Sequence, residues 1–263
     1  MIKRAIKELC TERRLVLGGV CACFACIYAL SVLGTGAGLC TPCIMDAFAL
    51  ASRRMTGTVG IITMLIIFAA GKDNYRADRV VRQKSFPRIW NYIVIKTGIA
   101  ALFFTICVFV ETLAVGRILS DKLFVWNQKD SYMYFLANKT VDSIDYGMIF
   151  LTYAAECFFT IFIAALLAQL IQWYTGSGLA GVIIVAALCL QTDVAMLFAA
   201  DKRNVFYGNI YDGIDVRYQF FLPAAAAVLI AVIGLMKGKR DFLMKEKPVS
   251  YTHLRAHETG AYL

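Results

Sequence analysis

Leu15–Gly36 runs for 22 residues without a charged side chain. As a helix, at ~1.5 Å per residue, it would reach ~33 Å, enough to cross the ~30 Å hydrocarbon core of a bilayer. Inside hydrocarbon every backbone N–H and C=O must be satisfied within its own segment, so a chain built on such runs folds as helices. The composition fits this: 60% of residues are hydrophobic and 17% charged, against about 45–50% and about 25% in soluble domains. An ordinary soluble enzyme and a disordered chain are both excluded.

Further apolar runs follow. Gly57–Gly71 has 15 residues, too few to span alone, so this segment is expected to begin near Ala47–Ala51 and to place Arg53 and Arg54 in protein or snorkelling to the interface. Ile93–Gly116, Tyr146–Trp173, Leu179–Ala200 and Phe220–Met236 complete a set of six. The predicted fold is all-α and polytopic, with a six-helix transmembrane domain over 15–236. Before it, Ile2, Ala5, Ile6, Leu9 and Cys10 share one helical face, with Lys3, Arg4, Lys7, Arg13 and Arg14 around the rest. That is the pattern of an amphipathic interfacial helix over 1–14.

Basic residues give the orientation. The N-terminus, the Lys72–Lys96 connection and Lys237–Lys247 carry net charges of +3, +5 and +3, while the other positions before the last fifteen residues sum to −2. The positive-inside rule makes both termini and the second-to-third connection cytoplasmic, including a basic C-terminus over 237–248. The net +9 is thus a topology signal and an affinity for anionic lipid rather than for nucleic acid. Tyr174–Gly178 reads as a tight turn on the same side. Ile118–Asp145 and Asp201–Gln219 face outward, balanced in sign and long enough only for a small cap.

Several chemistries have no residues to carry them. Both histidines, His253 and His257, lie in the last eleven residues. Nine cysteines without a repeated CxxC pair make no zinc framework. Gly71-Lys72 is followed by Asp73, so there is no phosphate-binding loop. No catalytic residue, metal site or cofactor is expected on the chain. The segment 249–263, VSYTHLRAHETGAYL, resembles translated sequencing-adapter read-through, and we set it aside as a non-native tail with its His253/His257 spacing.

Three carboxylates interrupt apolar runs, where each costs several kcal/mol and faces protein or water. Glu156 is the deepest, ten residues into the fourth span, with Thr152, Tyr153 and Thr160 at helical spacing to hydrogen-bond it. It reads either as part of a substrate path or subunit interface, or as a satisfied structural carboxyl. Glu111 and Asp193 lie near the outer ends of their spans and are expected to be wet. Cys40-Thr41-Pro42-Cys43 follows the first span; without a βαβ pattern around it, it reads as a structural bridge or two unpaired thiols rather than a redox pair.

Tyr75-Arg76-Ala77-Asp78, then Pro87-Arg88 eleven residues after Arg76, then Lys96-Thr97-Gly98 form one motif; Gly238-Lys239-Arg240-Asp241-Phe242 after the last span forms another. With the six-span layout they resemble the permease subunits of ABC-2 type ABC transporters. The resemblance implies a multi-pass subunit of a bacterial cytoplasmic membrane. It would act as a homo- or heterodimer with a second permease and with separate ATP-binding cassette ATPase subunits that hold ATP and magnesium. It also implies that the connection over 72–92 couples to the ATPase through Tyr75, Arg76, Arg79, Arg82, Lys84, Pro87 and Arg88. The implied cargo is an amphiphile, a drug or an antimicrobial peptide moving outward. From the residues alone, Pro87 predicts a short helix ending near Lys84–Ser85 and a new helix just beyond. The competing expectations are a solvated topogenic loop, a membrane-embedded enzyme, for which the convergent side chains are missing, and a stand-alone channel or secondary transporter, for which broken helices in matching halves are not evident in the sequence.

Overall fold

The computed structural model describes residues 6, 12–34, 40–71, 86–132, 134, 138, 140–190 and 216–245. Among these are seven helices: α1 Arg13–Gly34, α2 Ile44–Arg54, α3 Ile61–Gly71, α4 Phe86–Leu119, α5 Tyr146–Thr175, α6 Gly178–Leu190 and α7 Val216–Lys245. Four are long and apolar enough to cross a membrane, within α1, α4, α5 and α7. The α2–α3 pair makes a fifth if it counts as one bent span. The described part of α6, 13 residues or ~20 Å, is too short to span. The fold is thus all-α and multi-spanning with four to five such helices among the described residues, against the six expected. Positions 191–200 and the interfacial helix up to Thr11, Ile6 excepted, lie outside the described residues, as does the 249–263 tail.

The second span departs most from expectation. It is not one helix extended backward but two, bent by 61° around a π-helical turn over Thr56–Gly60. Two glycines and three β-branched residues in Thr56-Gly57-Thr58-Val59-Gly60 are all poor helix formers, and the ladder slips there. Gly60 N–H donates to Met55 C=O at 2.8 Å, one residue beyond the α-helical partner.

The third span also differs. α4 begins at Phe86, seven residues before the expected Ile93, with Pro87 as its second residue. Proline is tolerated there because the first-turn N–H groups have no intrahelical partner. The end of the short helix expected near Lys84–Ser85 falls outside the described residues. α4 also runs on to Leu119, and α7 continues past Met236 to Lys245.

The helices alternate between two ends. At one end the described residues of 120–145 fold as a cap: Thr41 N–H donates to Asp130 C=O at 2.8 Å, Ile44 N–H to Lys122 C=O at 2.9 Å and Val141 N–H to Trp126 C=O at 3.0 Å. At the other, basic end α5 turns into α6 through Gly176, whose φ of 75° lies in the left-handed region and whose N–H closes on Gln172 C=O at 2.9 Å. The expected tight turn is therefore present. Gly181 next to it does more than break a helix, since an added Cβ would collide with Ala168 C=O. α5 and α6 touch backbone to backbone there, the kind of approach that holds helices together where lipid is as apolar as leucine.

Candidate functional site

Two places concentrate polar chemistry within the bundle. The first is the break between α2 and α3. Ser52, in the last turn of α2, donates its hydroxyl to Glu156 Oε2 at 2.7 Å. Glu156 is 1% exposed, and its Oε1 has no hydrogen-bond partner among the described residues. Two of the three expected helical neighbours bond elsewhere: Thr152 Oγ1 donates to Met148 C=O at 2.7 Å, and Tyr153 pairs its hydroxyl with Thr112 at 2.7 Å. Ser52 was invisible to sequence reasoning because the contact joins residues 104 positions apart. The serine's one local signal was its place at the polar end of an apolar segment. Met55 Sδ and Cys157 Sγ, 3.9 Å apart, close the site below. The side chains of Arg53 and Arg54 lie outside the described set.

Glu111 corrects an expectation. It is 7% exposed rather than wet, and neither carboxyl oxygen has a partner among the described residues. The reason is length: α4 continues eight residues beyond it to Leu119 and leads into the cap, so the outer end of the span is farther off than the sequence suggested. Asp193 lies outside the described residues.

The second place is the basic end. Of the expected coupling residues, Tyr75, Arg76, Arg79, Arg82 and Lys84 lie outside the described residues; Pro87 and the exposed Arg88 stand in the first turn of α4. The next turn is fastened. Trp90 is 0% exposed, donates its indole N–H to Ala231 C=O of α7 at 2.8 Å and packs on Trp173 of α5 with ring centroids 5.9 Å apart. Gly234 is what admits it, since a Cβ there would strike the indole. Lys96 Nζ donates to Ala70 C=O of α3 at 3.0 Å. Lys237 Nζ donates to Trp173 C=O and lies 4.3 Å from the Tyr174 ring centre. Two of these acceptors, Ala70 and Trp173, lie in the last turns of α3 and α5, where carbonyls lack intrahelical donors and a cation is favoured.

The Cys40–Cys43 pair is not bridged; both are free thiols. Burial, then the nearby Asp46, push the Cys43 thiol up to about 12. Burial, then Asp46 and Asp130, raise Cys40 as well. Thiols held protonated are poor nucleophiles, so the redox reading loses its chemistry. Asp46 itself is committed to structure: at the third position of α2 it accepts from Cys43 N–H at 2.8 Å and from Trp126 Nε1–H at 2.7 Å.

Among the described residues no group of three His, Cys, Asp or Glu side chains is placed to hold a metal ion. No family model, curated protein or solved structure matches this chain, so the geometry by itself carries the conclusion: a multi-pass, all-α membrane protein with a buried Ser52–Glu156 contact at a broken helix.

Proposed function

We propose that the chain is the membrane-spanning subunit of an ATP-driven exporter of the ABC-2 type, with its basic end in the cytoplasm. It pairs with a second permease, identical or not, and with two separate ATPase subunits that bind ATP and magnesium. The observation that carries this reading is the fastening of α4. The basic connection precedes the start of α4, whose second turn Trp90 locks to α5 and α7, so a push on that connection reaches three helices as one rigid-body displacement. The motif around Arg76 and Pro87 supplies the partner's identity. The cargo is an amphiphile, drug or peptide reached from the membrane or the cytoplasm.

The test is co-purification with a candidate ATP-binding cassette ATPase. The wild-type chain should retain the ATPase and stimulate its ATP turnover, and Arg76→Glu with Arg79→Glu should weaken both. Association unchanged by charge reversal would overturn the coupling assignment. A second reading, a secondary transporter without an ATPase, draws support from the α2–α3 break beside Glu156, because broken helices and membrane-buried carboxyls mark ion and substrate sites. Cargo movement by the purified chain alone, with no ATPase present, would favour it.

A further inference from the structure

The two halves of the broken span are held in different ways. α2 is tied to its surroundings by directional bonds: Asp46 to Trp126 at 2.7 Å, Ile44 N–H to Lys122 C=O at 2.9 Å and Ser52 to Glu156 at 2.7 Å. Phe48 adds a ring cluster with Phe109 of α4 and with Phe150 and Tyr153 of α5, at centroid distances of 5.5, 5.2 and 5.0 Å. α3 has little of this. Thr63 reaches back only into the π turn, donating to Val59 C=O at 2.7 Å and Gly60 C=O at 3.2 Å, and among the described residues a side-chain bond to α3 from another helix comes from Lys96 to Ala70, in its last turn. The rest of its hold is apolar packing by Met64, Ile66 and Ile67, which in lipid brings no hydrophobic gain over contact with acyl chains.

Between the halves lies the π turn. Gly60 fits against Thr160 of α5, where an added Cβ would come within 3.0 Å of its methyl group. Gly57 has room, its nearest such contacts being Cys189 C=O at 3.8 Å and Leu190 at 3.9 Å. Glu156 beside it is held at Oε2 by Ser52, while its buried Oε1 has no partner among the described residues, so a single bond seats this side of the turn and the other oxygen calls for an explanation.

We propose that Thr56–Gly60 is a pivot: α2 stays fixed to the cap, α3 swings about the π turn, and the Ser52–Glu156 bond is the bearing that seats the pivot on α5. α3 leads straight into the basic connection, so the pivot lets that connection move without dragging the capped end. Ser52 and Glu156 are then positioning residues. The use of the pivot in transport rests on the proposed function, but the pivot itself is tested on the chain alone. A static α3 overturns it and leaves the subunit assignment standing.

The experiment is fluorine NMR of the full chain in phospholipid nanodiscs, with trifluoromethyl-phenylalanine placed singly at Phe68 or Phe150. Phe68 lies on α3 against Gly178 of α6; Phe150 lies on α5 against Phe48 of α2. Two exchanging resonances are expected at Phe68 and one at Phe150. Gly57→Ala, which has space for its methyl group and stiffens the turn, should lower the minor Phe68 population roughly two- to fivefold. Ser52→Ala or Glu156→Leu, each of which removes one partner of the bond, should unseat the bearing and split the Phe150 signal too. A single resonance at Phe68, splitting at both sites in the wild type, a Gly57→Ala spectrum with unchanged populations, or a single Phe150 line in both bearing variants would each overturn the proposal.

Discussion

The capped end and the basic end of this bundle solve one problem with different means. Both must terminate helices whose last carbonyls or first amides lack partners, and both bury a tryptophan completely. At the capped end Trp126 donates to a carboxylate, Asp46, which also caps α2, and irregular backbone crosses between chain segments. At the basic end Trp90 donates to a helix carbonyl, lysines cover the ends of α3 and α5, and the cement is ring packing over Gly234. One end is a network of specific bonds, sensitive to a single atom; the other is a fitted joint, sensitive to volume.

The largest effect that would sharpen this contrast is removal of the joint. Trp90→Ala should cost about 3–5 kcal/mol, read as a lowered midpoint of thermal unfolding in detergent, with protease cutting first near the basic end. A loss well under 1 kcal/mol would mean that α4 is not fastened there. Next comes the network. Asp46→Ala leaves both the Trp126 indole N–H and the Cys43 amide without an acceptor and should cost about 2–4 kcal/mol. Protease sensitivity should then appear in the 120–145 segment while the basic end stays protected. Equal loosening of both ends would dissolve the distinction between them.

The smallest effect concerns chemistry rather than stability. With its thiol pushed up to about 12, Cys43 has almost no thiolate at pH 8. Its alkylation by iodoacetamide should run roughly a thousandfold slower than that of an ordinary thiol. Raising the pH should speed it with no plateau below about pH 11, because the thiolate fraction climbs only as the pH approaches the raised pKa. A plateau near pH 9 would show that the Asp46 corner is open to water, contrary to its role in the capped end.

The sequence made the class of fold legible because it depends on run length. The spans in α1, α5 and α7 lie close to where the apolar runs place them, and the tight turn at Gly176 was visible in its glycines. Glu156 was found by its cost in hydrocarbon. What escaped was whatever depends on partners far along the chain. Ser52 serves a carboxyl 104 positions away, and Trp90 fits a notch at Gly234. The bend at Thr56–Gly60 escaped for another reason: weak helix propensity over five residues cannot say whether tertiary contacts straighten a helix or let it slip. Glu111 was misjudged because the apolar run ends at Gly116 while the helix itself continues to Leu119.

α4 and α5 pack side by side and have 34 and 30 residues. Their helical lengths, ~51 and ~45 Å, exceed a ~30 Å hydrocarbon layer by more than a third. Such a pair must tilt, project into the headgroups or thicken the bilayer around it, each at a fraction of a kcal/mol per Å of mismatch. These two long rods therefore make the bundle a gauge of membrane thickness. A thicker, more ordered bilayer suits them upright, and a thinner one leans them over, changing the angle at which the basic end meets the bilayer surface.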